Sequence, residues 1–243
     1  MSNEQTTGQQ ASVPEGLVAA VVDLVGTGPV ELGAYTLAEL SAVDAIVDFL
    51  ETPPSDEVLA EAVRSLAARQ LLVADAEGDD LQVRGDLGIA LTFQQRARTV
   101  LDARVTGSSV GEPWRVLLLP QPEGITLEFR IDALGVHALA LYPSEDALDR
   151  LLEWLPDGKD VDAADTPAAK DALAGAERSA LVSVTDYTAE GSAEVAGETQ
   201  DLVLIRKAGR LYAYDRDPQT RSDLVAHPSS GEDRRKIIKK MLA

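Results

Sequence analysis

The sequence predicts an α+β protein in which a helical, winged-helix-like N-terminal portion precedes a pseudo-duplicated antiparallel sheet with flanking helices. Three observations lead to this prediction. Apolar residues at helical spacing end at Leu66 and are followed by a short hairpin pattern at 71–83. From Trp114 onward the apolar period changes to two, which is typical of strands. Two segments of the same design, each a strand end, Pro-Ser and an acidic helix start, occur at Pro143 and Pro228.

Composition and pattern divide the 243 residues into three segments. Residues 1–14 are polar, which predicts a disordered tail. Residues 15–106 form the predicted helical, winged-helix-like portion, and residues 112–243 form the antiparallel sheet with its helices. The chain is long enough for one large core or two small ones, so the two folded portions are expected either as one domain or as two.

Caps and apolar spacing predict the elements of the helical portion. The segment "GLVAAVVDLV" fits a strand or a short helix, and "VELGAYT" fits a strand. Thr36 and Glu39 form a capping box, which starts a helix that runs to Leu50. Ser55 caps the next helix, and a hairpin with an Asp- and Gly-rich turn follows it as a wing would. Residues 86–104 are predicted to form a further helix.

In the sheet portion, "WRVLLLP", "ITLEFRI" and "GVHALALY" predict three strands. Leu127, Phe129 and Ile131 of the second strand are expected to face the core. Glu128 and Arg130 alternate with them and are therefore expected to face outward.

The rest of the sheet portion is predicted to repeat strands and a helix. Ser144 is expected to cap a helix with acidic residues in its first turn. Residues 157–176 predict a loop with a short helix, "ALVSVTDYT" a strand and "EGSAEVAGE" a loose connection. A hairpin is expected to turn at Ala208 and Gly209, and a Ser-capped helix is expected at the C-terminus. The similarity to the segment after Pro143 favours a duplication, although two helices can share a Pro-Ser start by chance.

The charge distribution argues against nucleic acid as a partner. The net charge is −19, so the chain repels phosphate backbones. Arg64, Arg69 and Gln70 are the candidate base contacts of the winged-helix-like portion, but the helix that carries them begins with Asp56 and Glu57. A winged-helix transcriptional regulator, or an accessory of one, stays the alternative interpretation.

Basic residues are concentrated near the C-terminus. Residues 205–243 contain ten Lys and Arg against five Asp and Glu, whereas no Lys or Arg precedes Arg64. The acidic front and the basic end could attract each other or could serve two partners, and two solvated faces are the plainer interpretation.

The sequence predicts a cytosolic protein without membrane insertion. The N-terminal segment lacks the basic region with which a secretory signal begins, so we expect no such signal. The longest apolar run, at 17–25, is too short for a bilayer and contains Asp23. The chain has no Cys, which excludes disulfides and thiolate metal sites.

No motif predicts catalysis. Residues 107–111 fit the G-x-S-x-G nucleophile elbow around Ser109, but a predicted helix precedes them and a strand follows, which reverses the required order. His137 and His227 are the only histidines, and neither can form a metal site alone. We therefore expect no enzymatic activity, no cofactor and no metal. A serine hydrolase stays a further alternative.

Three short motifs stand at particular places in the predicted fold: Leu66, Arg69 and Leu71 in an L-x-x-R-x-L pattern before the hairpin, Gly209-Arg210 in a late strand, and Pro228-Ser229 at a helix start. With the order of the elements, these motifs resemble the EspG family, the secretion-associated proteins of actinobacterial type VII systems. The similarity spans roughly Val30 to the C-terminus. The chain departs from the family in its polar N-terminal tail, in its basic last helix and in Gln70, which stands where a glycine is usual.

The resemblance implies a pseudo-twofold α+β fold and a non-enzymatic cytosolic chaperone or adaptor. Such a protein holds the hydrophobic tip of a helical secretion substrate in an apolar groove beside a sheet, with polar residues that set the register. Glu128, Arg130, Arg206, Tyr212 and Tyr214 are the residues that we predict on this protein-binding surface, because Tyr and Arg are favoured interface anchors. The alternative is that the tyrosines pack in the core.

Overall fold

The computed structural model describes residues 15–43, 45, 54–74, 81–190, 193–216, 223–228 and 233–243. These residues form an α+β fold of helices around a ten-stranded, largely antiparallel sheet, which confirms the predicted class. The predicted tail at 1–14 and the turn of the first hairpin at 75–80 lie outside the described residues. The helix predicted to reach Leu50 is wrong in its length, because the helix that begins at Leu37 ends at Ser41 with Ala42 as its C-cap.

The helices are α1 (Glu15–Val25), α2 (Leu37–Ser41), α3 (Asp56–Ala68), α4 (Gly85–Arg96), α5 (Ser144–Trp154), α6 (Ala169–Leu173) and α7 (Arg234–Met241), with a 3-10 turn at Ala163–Asp165. The strands are β1 (Val30–Thr36), β2 (Leu72–Ala74), β3 (Leu81–Val83), β4 (Thr99–Thr106), β5 (Arg115–Pro120), β6 (Ile125–Ile131), β7 (Val136–Pro143), β8 (Lys159–Asp160), β9 (Arg178–Glu190), β10 (Ala193–Lys207), β11 (Arg210–Arg216) and β12 (Leu224–Ala226).

The main sheet consists of two antiparallel meanders that lie side by side. In the first, β4 to β7 pair in chain order and α5 follows, and in the second, β9 to β12 pair in chain order and α7 follows. The meanders join where β4 pairs antiparallel with β9, with Leu101 opposite Val184. Strand β1 extends the first meander beyond β7, and β8 lies parallel to β11. The predicted duplicated arrangement is confirmed, with one more strand in each half than predicted.

The N-terminal portion has the winged-helix-like order of helix, hairpin and helix. Helix α3 is followed by the hairpin of β2 and β3 and then by α4. The capping box at the start of α2 is present: the Thr36 N–H donates to the Glu39 carboxylate at 2.9 Å, and the Glu39 N–H donates to Thr36 Oγ1 at 3.2 Å. The segment at 15–25, which fitted either a strand or a helix, is helix α1.

Glu39 ties this portion to the sheet. Its buried carboxylate also accepts hydrogen bonds from the Ser65 hydroxyl at 2.7 Å and from Arg69 at 3.1 Å, and Arg69 lies over the ring of Tyr35 in β1. Burial alone would raise the pKa of Glu39, but the hydrogen bonds from Thr36 and Ser65, together with the charge of Arg69, lower it below its ordinary value. One ionised side chain therefore links α2, α3 and β1.

The helix predicted at 86–104 is wrong in its second half. Helix α4 ends at Arg96, Ala97 is already extended at φ −62° and ψ 136°, and β4 begins at Thr99. In β4 the buried residues Leu101 and Ala103 alternate with more exposed ones. Strands β5 and β9 pair with β4 from both sides, so tertiary pairing overrides the helical propensity of Leu, Ala and Arg in this segment.

The loose connection predicted at "EGSAEVAGE" is wrong as well, because most of this segment belongs to a long hairpin of β9 and β10, paired from Arg178 with Arg206 to Glu190 with Ala193. The next hairpin turns where it was predicted. Ala208 and Gly209 both have positive φ, at 51° and 71°, as a two-residue turn that matches the twist of the strands requires.

Two helix caps differ from the prediction by a few residues. Pro143 is the N-cap of α5, so Ser144 is its first residue, and the Ser144 hydroxyl instead hydrogen bonds to Thr126 of β6 at 2.9 Å. Asp233 caps α7 by accepting a hydrogen bond from the Arg235 N–H at 2.9 Å. The predicted Ser229 lies outside the described residues.

Both faces of the first meander are covered. On one face, α1 to α4 pack against Leu117, Leu127 and Phe129. On the other face, α5 and α7 pack against Val116 and the second meander. Since the helical portion and the sheet share the first of these cores, the segments at 15–106 and 112–243 are joined by a common hydrophobic cluster.

A third, smaller cluster lies under α6 at the far end of the sheet. It includes Ile205, whose neighbour Leu204 belongs to the core under α5 and α7. Successive residues of a strand point to opposite faces, so α6 lies on the same face of the sheet as α1 to α4. That face is therefore covered at its two ends by different helices.

Candidate functional site

The five residues predicted for protein binding do not lie together. Three of them, Glu128, Arg130 and Arg206, lie on the face of the sheet that α5 and α7 cover, because their neighbours along each strand point to the opposite face. The other two, Tyr212 and Tyr214, belong to the cluster under α6 on that opposite face. Among the five, the structure brings into contact Glu128 and Arg130, whose carboxylate and guanidinium are 2.9 Å apart.

The prediction that Glu128 faces outward is wrong. Its side chain is 2 % exposed and pairs with Arg130 at 2.9 Å and with Arg150 of α5 at 3.3 Å. Helix α5 covers this face of β6, so the alternation of apolar and polar residues does not separate core from solvent here. Arg130 is partly buried by the same helix, and the three side chains form an internal ion-pair cluster.

The tyrosines pack in the core, as the alternative interpretation had it. Tyr212 and Tyr214 are both buried, and the Tyr214 hydroxyl donates to the Pro167 carbonyl at 3.0 Å. Burial raises the pKa of Tyr214 to about 12, because the phenolate would lose its hydration. Arg206 is the exposed member of the set, and its Nε lies 2.9 Å from a carboxylate oxygen of Glu177.

The basic C-terminal helix is held by the acidic face of α5. Arg235 pairs with Glu145 and Asp149, and Lys239 Nζ lies 2.7 Å from Glu145. Hydrogen bonds from Lys239 and Arg235 lower the pKa of Glu145. Arg234 donates to the Pro156 carbonyl at 2.6 Å. The attraction between basic end and acidic residues is thus a contact within the fold, although the acidic partners come from α5 and not from the N-terminal portion.

The residues considered for DNA binding and for hydrolysis lie in other structural contexts than those functions require. Arg69 is engaged by Glu39 and Tyr35, and Arg64 pairs with Glu61 on the surface of α3. Ser109 lies in the connection between strands β4 and β5, where the nucleophile elbow requires a strand and then a helix.

A different surface is open on the face that carries α1 to α4 at one end and α6 at the other. The central strands β4, β9, β10 and β11 contribute side chains there that the helices leave partly exposed. We call these residues the central strip: Asp102, Arg104, Leu181, Ser183, Asp201, Val203 and Arg216.

The strip follows from strand register. Arg104 lies opposite Leu181, and Leu181 lies opposite Val203 on the next strand. Asp102, Ser183 and Asp201 form the neighbouring row, and Asp201 pairs with Arg216 at 3.2 Å. Leu181 and Val203 are half-buried. Among the described residues Leu181 belongs to none of the three hydrophobic clusters, whereas Val203 packs against the edge of the cluster under α6. The strip is therefore an apolar pair with a charged group at each side.

The charged groups of the strip hold one another in place. Buried Arg115 donates from two nitrogens to the two oxygens of Asp102, each at 2.8 Å, and Arg104 donates to the same carboxylate at 2.7 Å. The bidentate pairing fixes the carboxylate, which in turn orients the Arg104 guanidinium. The strip is pre-organised, and Arg104 is its most exposed charge.

Sequence reasoning missed the strip because it depends on β4. Because residues 86–104 were assigned to a helix, the alternation of Asp102 and Arg104 with Leu101 and Ala103 could not be used to place these residues on two faces of a strand. The ends of β4 carry the β-branched residues Thr99, Val100, Val105 and Thr106, which are the signal that could have found the strand.

In comparisons with known proteins, no protein-family model and no curated protein match the chain. In the described part of the chain, the helices are too short or too polar to cross a membrane. Over the same residues, no cluster of three or more His, Asp or Glu side chains could hold a metal ion.

Proposed function

We propose that the protein is a non-enzymatic cytosolic chaperone or adaptor that binds a helical segment of another protein on the central strip. The observation that carries the proposal is the partly exposed apolar pair Leu181 and Val203, which lies between two helix-covered ends of one sheet face. The resemblance to the EspG family supports a helical type VII secretion substrate as the partner.

The dimensions of the strip suit a helix. Adjacent strands lie ~4.8 Å apart, so β4, β9 and β10 together span ~10 Å between their outer axes. A helix rises about 5.4 Å per turn, so about two turns of a helix that crosses the strands cover this distance. Such a helix would cover Leu181 and Val203 and would reach Arg104 at one end, which is the helix-in-groove mode of recognition.

Co-expression with candidate helical export proteins tests the proposal. We expect a stable complex with the wild-type chain. Leu181→Glu should weaken it about 10-fold or more, because a carboxylate would be buried against the apolar face of the partner helix. Leu134→Glu is the matched control, since Leu134 is 87 % exposed in the turn between β6 and β7. Equal loss of the complex in both variants, or no loss in Leu181→Glu, would contradict the proposal.

A further inference from the structure

The central strip presents its cations to solvent and hides its anions. The side chain of Arg104 is 48 % exposed, whereas that of Asp102 is 16 % exposed. On the other side of the strip, Arg216 is 40 % exposed and Asp201 is 10 % exposed. The accessible charge at both sides of the apolar pair is therefore positive.

The local charge balance is also positive, in contrast to the whole chain. Counting buried Arg115, the strip holds three arginines and two aspartates, while the chain carries a net charge of −19. The aspartates are occupied from below, since Asp102 accepts from two arginines and Asp201 accepts from Ser183 and pairs with Arg216. They hold Arg104 and Arg216, whose side chains stay partly exposed to solvent.

A partner that covers these arginines has to bring acceptors. A guanidinium has five N–H donors, and Arg104 uses those on Nε and Nη2 for Asp102. An apolar helix laid over Arg104 and Arg216 would remove the water that hydrogen bonds to their remaining N–H donors and would supply no other acceptor, which is unfavourable. Carboxylates match the geometry and the charge of a guanidinium best.

The spacing of the arginines sets the spacing of those carboxylates. Arg104 lies on β4 and Arg216 on β11, three strand steps apart in the sheet, so about 14 Å separate the two strands. Arg216 lies in the row of Asp201, two residues along the strands from the row of Arg104, so the two arginines are about 16 Å apart. A helix rises ~1.5 Å per residue, which converts this distance into roughly ten residues. The apolar pair lies one and two steps from Arg104, and each step corresponds to roughly three residues of a helix.

We propose that the docking helix of the partner is acidic at both ends of an apolar stripe. It carries Asp or Glu at a first position, apolar side chains near the third and seventh residues after it, and a second Asp or Glu near the tenth, so that all four lie on one helix face. The carboxylates bind Arg104 and Arg216, and the apolar residues cover Leu181 and Val203. This inference rests on the proposed function and specifies the chemistry of the partner.

Fluorescently labelled synthetic helical peptides test the pattern on the full-length protein. The first peptide has Glu at the two outer positions and Leu at the two inner ones, in an Ala- and Gln-rich helix. The second replaces both Glu residues by Gln, and the third replaces both Leu residues by Ala. Fluorescence anisotropy at low salt should give about 10-fold weaker binding for the Gln peptide than for the Glu peptide. The Ala peptide should bind more weakly than the Gln peptide.

Protein variants assign the effect to the strip. In the double variant Arg104→Gln/Arg216→Gln, the Glu and Gln peptides should bind with nearly equal affinity, because both arginines that distinguish them are gone. In Arg64→Gln, a control at an exposed arginine of α3, the roughly 10-fold difference should persist. Circular dichroism of each variant checks that it is folded.

The outcomes separate the inference from the proposed function. Equal affinity of the Glu and Gln peptides for the wild-type chain would overturn the acidic pattern. So would the absence of binding by the Glu peptide. If Leu181→Glu still abolishes the complex with a co-expressed helical partner in either case, the docking surface stands and only the chemistry assigned to its partner is wrong.

Discussion

Glu128→Gln should destabilise the fold without weakening partner binding. The carboxylate is 2 % exposed and neutralises Arg130 and Arg150, whose side chains are 23 % and 40 % exposed. Removing one partner of a fully buried ion pair costs about 3–5 kcal/mol. Since water still reaches both arginines, we expect a smaller loss, about 2 kcal/mol in the free energy of unfolding.

Urea unfolding measures this loss, with tryptophan fluorescence and circular dichroism as two independent probes of the same transition. Glu145→Gln is the matched control, because Glu145 is also paired to arginine but is exposed, and its midpoint should stay close to that of the wild type. In the double variant Glu128→Gln/Arg130→Met, the two losses should fall short of additivity by about 1 kcal/mol, since the residues form one cluster. A loss below about 0.5 kcal/mol for Glu128→Gln would refute the ion-pair cluster as a structural element.

Three further predictions concern other parts of the fold. Tyr214→Phe removes the hydrogen bond to the Pro167 carbonyl and should lower the free energy of unfolding by about 1 kcal/mol in urea titrations, with no change as the contrary result. The pKa of Glu39 is lowered below its ordinary 4.5, so ionised Glu39 stabilises the fold above that pH, and this contribution is lost as the pH falls through the folded-state pKa. Glu39→Gln should therefore reduce the pH dependence of the free energy of unfolding on the acid side. An unchanged pH profile of that free energy would contradict this prediction. Arg235→Gln should speed amide hydrogen exchange in α7, because the pairing with Glu145 and Asp149 is lost, and Arg235→Lys should keep the exchange slow. Equal exchange in both variants would show that the ion pairs do not hold the helix.

The elements that the sequence predicts well are those with local causes. The capping box at Thr36, the positive-φ turn at Ala208 and Gly209, and the period of β6 all depend on residues a few positions apart. Strand β4 was mistaken for a helix because its partners, β5 and β9, decide its conformation, and β9 follows it by more than seventy residues.

The outward orientation of Glu128 was mispredicted for a related reason. Alternation along a strand tells which residues share a face, but it does not tell which face is covered. Glu128 and Arg130 are polar and lie on a face that α5 covers, while Leu181 is apolar and lies on a face that stays partly open. Only the arrangement of α5, α6 and the N-terminal helices distinguishes the two cases.

Site-specific photo-crosslinking tests docking on the central strip, with a photo-reactive amino acid at position 181 of the chain and a candidate helical partner co-expressed. If the central strip is the docking surface, illumination joins the two proteins at position 181 and not at the exposed control position Leu134, and mass spectrometry maps the link to a helix of the partner. Crosslinking at position 134 with none at position 181 would contradict docking on the central strip.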